Sequence, residues 1–493
     1  MSIATRLMTR GGRVTALGLV LVVTASIAGT ARPAMAPPRL LAAVRQTPGT
    51  LQLVGHSALL GRGMNAALAI AGHYAYVGSR TDGTHPNAGV LVVDIANPAA
   101  PGVVSQIGPP AEGNIGETSR ELRVWPRQHL LIVENFACSP LLHACAQGVA
   151  VTPTFRCYDI AGRSAANPRL VATYYPPRLP HEFYLWADPL RPGRALLYIT
   201  TPYLNRAGDQ LLVIDLSRAR AGVVTEVASW ALPIPDPDAY AYLHSLSLSP
   251  DGHRAYLADL GGGVMVADTS DLARALPGPA IRLVTPVANR AHWGNPGAHS
   301  AVKLFGRPYV FVTDEVYGTF AGLAGAEGCP WGWTRVLDVR DEQRPVVVAQ
   351  YKLAPYNDAG YCPAVPRDRE SFASYSSHNP TLTPHLAFVS WHSGGLQAID
   401  LSDPLRPRQA ARYLPAPLPA VATEDPALSA GRDKVVMWSY PIIRDGLIYV
   451  VDIRNGLYVL RYHGPYAAEV AAIRFLEGNS NLGDAPRLAV RAG

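Results

Sequence analysis

A chain of 493 residues with 48% apolar and 16% charged side chains, and 44 glycines beside 44 prolines, is too apolar for disorder and too rich in turn residues to be mainly helical. Its net charge of +6 comes from 43 basic against 37 acidic residues with no clustered basic run, which argues against a nucleic-acid binder. The length exceeds one ordinary core, so a repeat architecture or several domains must account for it.

The first segment is an address. Arg6, Arg10 and Arg13 precede the apolar run "VTALGLVLVVTASIAG" (14–29), and the small-residue site "AMA" follows at 34–36. Residues 1–36 therefore read as a secretory signal peptide cleaved after Ala36, and residues 37–50 as a linker. Its four arginines lower the mature chain from +6 to +2. The expected setting is secreted, at the cell surface or outside the cell, with membrane contact only if the N-terminal helix stays uncleaved.

Beyond the linker, seven segments share one pattern, an apolar alternating run that ends in Asp followed by Ile, Leu, Val or Thr. They are "GVLVVDIANP", "FRCYDIAG", "LLVIDLSR", "GVMVADTSD", "TRVLDVRDE", "GLQAIDLSDP" and, with Arg in the Asp slot, "GLYVLRYHG". Their markers, Asp94, Asp159, Asp215, Asp268, Asp338, Asp400 and Arg461, stand 65, 56, 53, 70, 62 and 61 residues apart. An all-strand period of that length is the signature of a propeller blade. The fourth unit displays its strands plainly: "HSLSLS", a "PDG" turn, "HRAYLAD", a Gly-rich turn, "VMVADTS" and "AIRLVTPV". The expected fold is all-β, a seven-bladed β-propeller of four-stranded blades over residues 51–478, with a C-terminal tail at 479–493. One chain end must complete the last blade. Both "LQLVGHSAL" (51–59) and "AAEVAAIRFLEG" (467–478) read as outer strands, and the choice between them stays open.

The repeat resembles the LVIVD-repeat family of exported bacterial β-propellers, in which G-[LV]-x-[LIV]-x-D-[IVL]-S-[DN]-P-x-x-P recurs. "GLQAIDLSDPLRP" (395–407) and "GVLVVDIANPAAP" (89–101) carry the match, and the similarity extends over about residues 50–463. The resemblance implies the fold and an exported setting, and no particular activity.

Five cysteines in an exported chain favour disulfides. Cys138 and Cys145 share one polar insertion, and Cys329 and Cys362 occupy two Gly/Pro-rich loops, so those are the expected pairs. Cys157, inside "FRCYDI", is the odd thiol and is expected to be buried.

The short catalytic motifs are absent: no G-x-S-x-G, H-E-x-x-H, P-loop or G-x-G-x-x-G occurs. What recurs is a histidine at the opening of a first strand: His181 in "PHEF", His244 in "LHSL", His299 in "AHSA" and His378 in "SHNP". With the repeats in phase, Asn65, Glu121 and Trp438 take the same place in the other units, and Glu182 follows His181. First strands line a propeller's channel, so the four imidazoles converge at its mouth. Imidazole suits copper, iron or zinc. The structural alternative is a histidine that bonds the backbone of the next blade. Alternation favours that alternative for His244, which shares a face with Leu246 and Leu248. A second group, Asp314, Glu315, Trp391, His392 and Asp452, ends second strands and reads as a binding face or as turn caps. The expected function is a monomeric binding or interaction module for an unknown protein or small-molecule ligand. The alternative is a metal-dependent oxidoreductase with a histidine-ligated centre in the channel.

Overall fold

The repeat's aspartate has a local cause. Each marker from Asp94 to Asp400 ends a strand, and its Oδ1 accepts the amide two residues on at 2.7–3.1 Å, closing an Asx turn before the chain leaves for the outer strand. The repeat's glycine, where present, has another. Gly263, Gly395 and Gly456 open third strands at φ +82°, +75° and +101°, each under a backbone carbonyl of the neighbouring outer segment that leaves no room for a Cβ.

The computed structural model describes residues 49–139, 143–202, 209–233, 242–293, 297–315, 332–354, 376–426, 428–429 and 434–491. The expected signal and residues 37–48 of the expected linker therefore fall outside the described residues, as do Cys329 and Cys362; Thr50, counted in that linker, already belongs to the first strand. Strand β1 (Thr50–Ser57) comes first. The next unit is β2 (Asn65–Ala71), β3 (Tyr74–Ser79), β4 (Val90–Asp94) and β5 (Gly102–Ile107). It is followed by β6 (Glu117–Trp125), β7 (Leu130–Ala137), β8 (Thr154–Asp159) and β9 (Arg169–Tyr174). The chain continues through β10 (Phe183–Ala187), β11 (Ala195–Thr200), β12 (Leu211–Asp215) and β13 (Thr225–Trp230). Then come β14 (Leu243–Leu248), β15 (Arg254–Asp259), β16 (Gly263–Asp268) and β17 (Arg282–Leu283). A further unit holds β18 (Ala298–Lys303), β19 (Tyr309–Asp314), β20 (Thr334–Asp338) and β21 (Val346–Tyr351). After it stand β22 (Pro380–Leu382), β23 (Leu386–Trp391), β24 (Gly395–Asp400) and β25 (Arg408–Tyr413). The last strands are β26 (Ile442–Arg444), β27 (Leu447–Asp452), β28 (Gly456–His463) and β29 (Phe475–Leu476).

Within each unit the strands pair antiparallel in sequence order; a single pair, Ser79 with Ser119, links β2–β5 to β6–β9 in one eight-stranded sheet. First strands contact one another in succession from β2 to β22, Thr381 of β22 bonds Pro441 O just before β26, and β2 meets β26 to return the series to its start. Apolar clusters lie between neighbouring sheets: Trp186 and Tyr198 pack against Leu246 and Leu257, and Leu68 and Val77 against Tyr449 and Val451. That last cluster closes the ring. The molecule is an all-β propeller with its core in the wedges between sheets.

Both chain ends take part in closure, which resolves the choice left open in the sequence. β1 pairs with β28 as the outer strand of the final sheet. The segment 467–478 is not an outer strand. It forms a short helix, Ala467–Ala471, and then β29, which joins the inner edge of β26 through Ile443–Leu476 and Arg444–Phe475. Residues beyond it stay inside the ring. Asn479 accepts the Leu185 amide at 3.2 Å, and Asn481 accepts the Ala187 amide at 2.8 Å while donating to Pro250 O at 3.1 Å. Gly478 lies against Pro380 O, and Leu482 and Leu488 sink into two different wedge cores. The C-terminal segment thus crosses the channel at the end opposite the histidines. Cys138 and Cys145 form a disulfide, and Cys157 is a buried free thiol, pushed up to about 12 by burial. Among the described residues no helix is long and apolar enough to cross a membrane.

Candidate metal centre

Two of the four histidines owe their direction to a bulge. Leu243 faces Asp259 and Ser245 faces Ala258, so His244 is the extra residue; Ala298 faces Asp314 and Ser300 faces Thr313, so His299 is too. A bulge re-aims the side chain it carries. The alternation that points His244 at a neighbouring blade is broken there, and Leu246 and Leu248 fill the wedge without it. Blade-to-blade bonds fall largely to hydroxyls instead. Ser245 donates to His299 O, Ser247 to Ala301 O, Thr381 to Pro441 O, and Thr200 to His244 O at 2.9 Å.

The released imidazoles stand in a row. His181 Nε2 lies 2.7 Å from His244 Nε2, and ring centroids step from His244 to His299 by 3.9 Å and from His299 to His378 by 4.0 Å. His392 joins at 5.1 Å from His378, and Trp438 lies against both rings, stacked on His392 at 5.2 Å and tilted over His378 at 3.9 Å. Two carboxylates enter the row. Glu315 reaches His378 and His392 Nε2 at 3.4 Å and His299 Nε2 at 3.7 Å, while Glu182 stands 3.9 Å from His299. The ligand atoms of Glu182, His244 and His299 lie within 4.8 Å of one another, as do those of His299, Glu315 and His378. Two ligands of one ion stand up to about 4.2 Å apart at bond lengths of about 2.1 Å, so a small contraction brings either trio to ligating distance.

Burial sets the protonation. It holds His181, His299 and His378 well below the usual imidazole range and His244 at about 4. Glu182 is pushed well up by burial and then by Glu121. At Glu315 the upward push of burial is outweighed by His378 and His299 and by a bond from His392. His378 Nδ1 is 2.8 Å from Trp438 O, and His299 Nδ1 is 2.9 Å from Ser300 Oγ. Both contacts turn Nε2 toward the carboxylates, the orientation that neighbouring groups impose on ligating histidines.

The structure divides the expected residues differently from the sequence. Glu315 and His392, assigned to a separate face, belong with His181, His244, His299, His378 and Glu182. The other three of that face do not form one. Asp314 is spent on Arg335 and on Trp293 Nε1 at 3.0 Å, and Asp452 accepts the amides of Val436, Arg454 and Asn455. Trp391 is packed among Phe311, Val336 and Val389. Of the ring positions, Asn65 bonds Arg62 Nε at 2.7 Å and Ile453 O at 2.9 Å, and Glu121 pairs with Arg123 at 3.1 Å; only Trp438 walls the centre. The sequence reading passed over Arg80, Arg120, His143 and Asp425, which adjoin this wall. His143 had one signal, its place inside the disulfide loop.

No curated protein matches the chain. Among solved structures it is similar to Sqt1 of Chaetomium thermophilum, at 14% identity and TM-score 0.44, covering 82% of this chain and 86% of that one. It is also similar to the C-terminal WD40 domain of Sif2, at 9% identity and TM-score 0.48, covering 84% and 99%. A protein from Lactobacillus plantarum is similar at 14% identity and TM-score 0.42, covering 71% and 85%. Residues 62–107, which span β2 to β5, match the family model of the LVIVD repeat, and this unit of the chain is an LVIVD repeat.

Proposed function

We propose that the chain is an exported, monomeric, seven-bladed propeller that binds one transition-metal ion in its channel. The ligands in this reading are His244, His299 and His378 with the carboxylate of Glu315 or Glu182, and His181 and His392 stand beside them. The observation that carries it is the meeting of five imidazoles and two carboxylates in one buried row. Unprotonated imidazole is the ligating form, and burial favours that form at His181, His244, His299 and His378. Mixed nitrogen and oxygen donors suit zinc, iron or copper. Iron or copper held by these residues would supply redox chemistry, and zinc would supply Lewis-acid or structural binding.

The test is metal analysis of the untagged protein, secreted by cells grown with copper, iron and zinc. About one equivalent per chain is expected, falling below about a tenth in His299→Ala. Less than about a tenth in the unmodified protein overturns the metal reading. It then leaves a binding module whose broad faces, like those of other repeat folds, meet a protein partner. A mature N-terminus at Pro37 is the matching expectation for export, read by N-terminal sequencing.

A further inference from the structure

A cavity of about 190 Å³ lies at the end of the channel opposite the histidines, beside the C-terminal segment. Three first strands deliver residues to it as they end: Leu248 from β14, Leu304 and Phe305 just after β18, and Leu382 from β22. Leu476 and Glu477 of the C-terminal segment close the other side. Because β14 carries His244 at its start and Leu248 at its end, the cavity stands roughly 13 Å from the histidine row.

The wall is largely apolar, and most of its polar groups are spent within the protein. Lys303 Nζ donates to Arg307 O, Ser247 to Ala301 O, Ser249 to Asp251, and Asn481 to Pro250 O. Glu477 is the exception. It is buried, and Ser480 Oγ donates to its Oε1 at 2.6 Å. Among the described residues its Oε2 has neither a hydrogen-bond donor nor an ion-pair partner. Burial pushes this carboxyl up, and Arg123, itself paired with Glu121 at 3.1 Å, offsets only part of that push. The Tyr184 hydroxyl, also on the wall, is pushed up by burial and then by Glu477, yet no hydrogen bond joins the two. Glu477 belongs to no cluster of ligating side chains among the described residues, so a metal ion lacks the donors it needs here.

We infer that this cavity binds a small organic ammonium ion, which donates to Oε2 of Glu477 and lays an apolar body of about one ring against Leu248, Phe305 and Leu476. A buried carboxylate oxygen without a donor is costly, and an ammonium supplies both the donor and the opposite charge. An apolar cavity of about 150 Å³ holds benzene, so the space here takes a ring with one short polar arm. The inference concerns the far end of the channel and stands without the metal reading.

Calorimetric titration of the full chain tests it, with benzylamine as probe, benzyl alcohol as the uncharged control of similar shape and benzoate as the control of opposite charge. The protein is first stripped of metal with EDTA, so that an amine cannot register by ligating an ion in the histidine row. Saturable benzylamine binding is expected, about tenfold or more tighter than that of benzyl alcohol, with none for benzoate. Glu477→Gln keeps the shape of the wall and should weaken benzylamine about tenfold or more, while benzyl alcohol changes by less than about twofold. Ala489→Phe, at a half-buried position of the last helix that lines the cavity, should weaken both ligands by filling the space. Unchanged benzylamine affinity in either variant overturns the inference, as does benzyl alcohol binding as tightly as benzylamine. Benzylamine binding that appears only after metal is restored also overturns it, because the amine then sits on the ion.

Discussion

Glu134 shows what a single side chain costs in this channel. It is fully buried, neither carboxyl oxygen has a hydrogen-bond partner among the described residues, and burial holds it well above the usual carboxylate range. Between the ordinary carboxyl pKa and that raised value, the folded chain keeps a proton that the unfolded chain has released. Its contribution to stability is therefore complete at low pH and is lost as pH rises through the folded value. Glu134→Gln keeps the shape and removes the titration. Urea unfolding should show the variant more stable by on the order of 1–3 kcal/mol at pH 8, with the gap narrowing toward pH 5. A gap independent of pH would show that Glu134 is ionised in the folded protein. Residues of this kind are not legible in sequence. The four histidines were, because each stands at a fixed phase of the repeat. Arg80, Arg120, His143 and Asp425 belong to bulges, strand ends and insertions, where the phase is lost.

At the scale of strands, the repeat motif is a set of backbone instructions. Aspartate closes the turn out of the third strand, and glycine admits the turn into it. Gly395 is the clearest case, at φ +75° with Tyr413 O where a Cβ would stand. Gly395→Ala should cost about 2–4 kcal/mol, combining a left-handed backbone with a clash against a backbone atom that cannot rotate away. A urea midpoint unchanged within about 0.5 kcal/mol would remove this account of the motif. Turn chemistry is local, which is why the third strands were placed from sequence alone. The bulges at His244 and His299 also lie within single strands, yet they leave no trace in composition, and period-two alternation gave the wrong face for His244. The pairing of β1 with β28 joins residues some 400 positions apart, and either chain end offered enough apolar alternation to be the partner.

For the whole molecule, closure rests on two seams, the outer strand β1 and the C-terminal segment within the channel. Ending the chain at Ile473 removes Leu476, Leu482 and Leu488, each buried, and should cost roughly 5 kcal/mol at about 1.5–3 kcal/mol per leucine. A thermal melt should show the loss. In the metal-loaded protein the truncation should also speed removal of the ion by a chelator, since a second opening is exposed. An unchanged melting temperature would show that the segment is not part of the core. There is also a consequence in the order of synthesis. The residues that bridge the far side of the channel follow every blade in chain order and so leave the ribosome after them, and they bond to Leu185, Pro250 and Ile443, which are made earlier. Until then the ring lacks the segment that spans it from Ile443 to Pro250; afterwards that side is bridged. A ligand of the histidine row that arrives during synthesis meets that side before it is bridged.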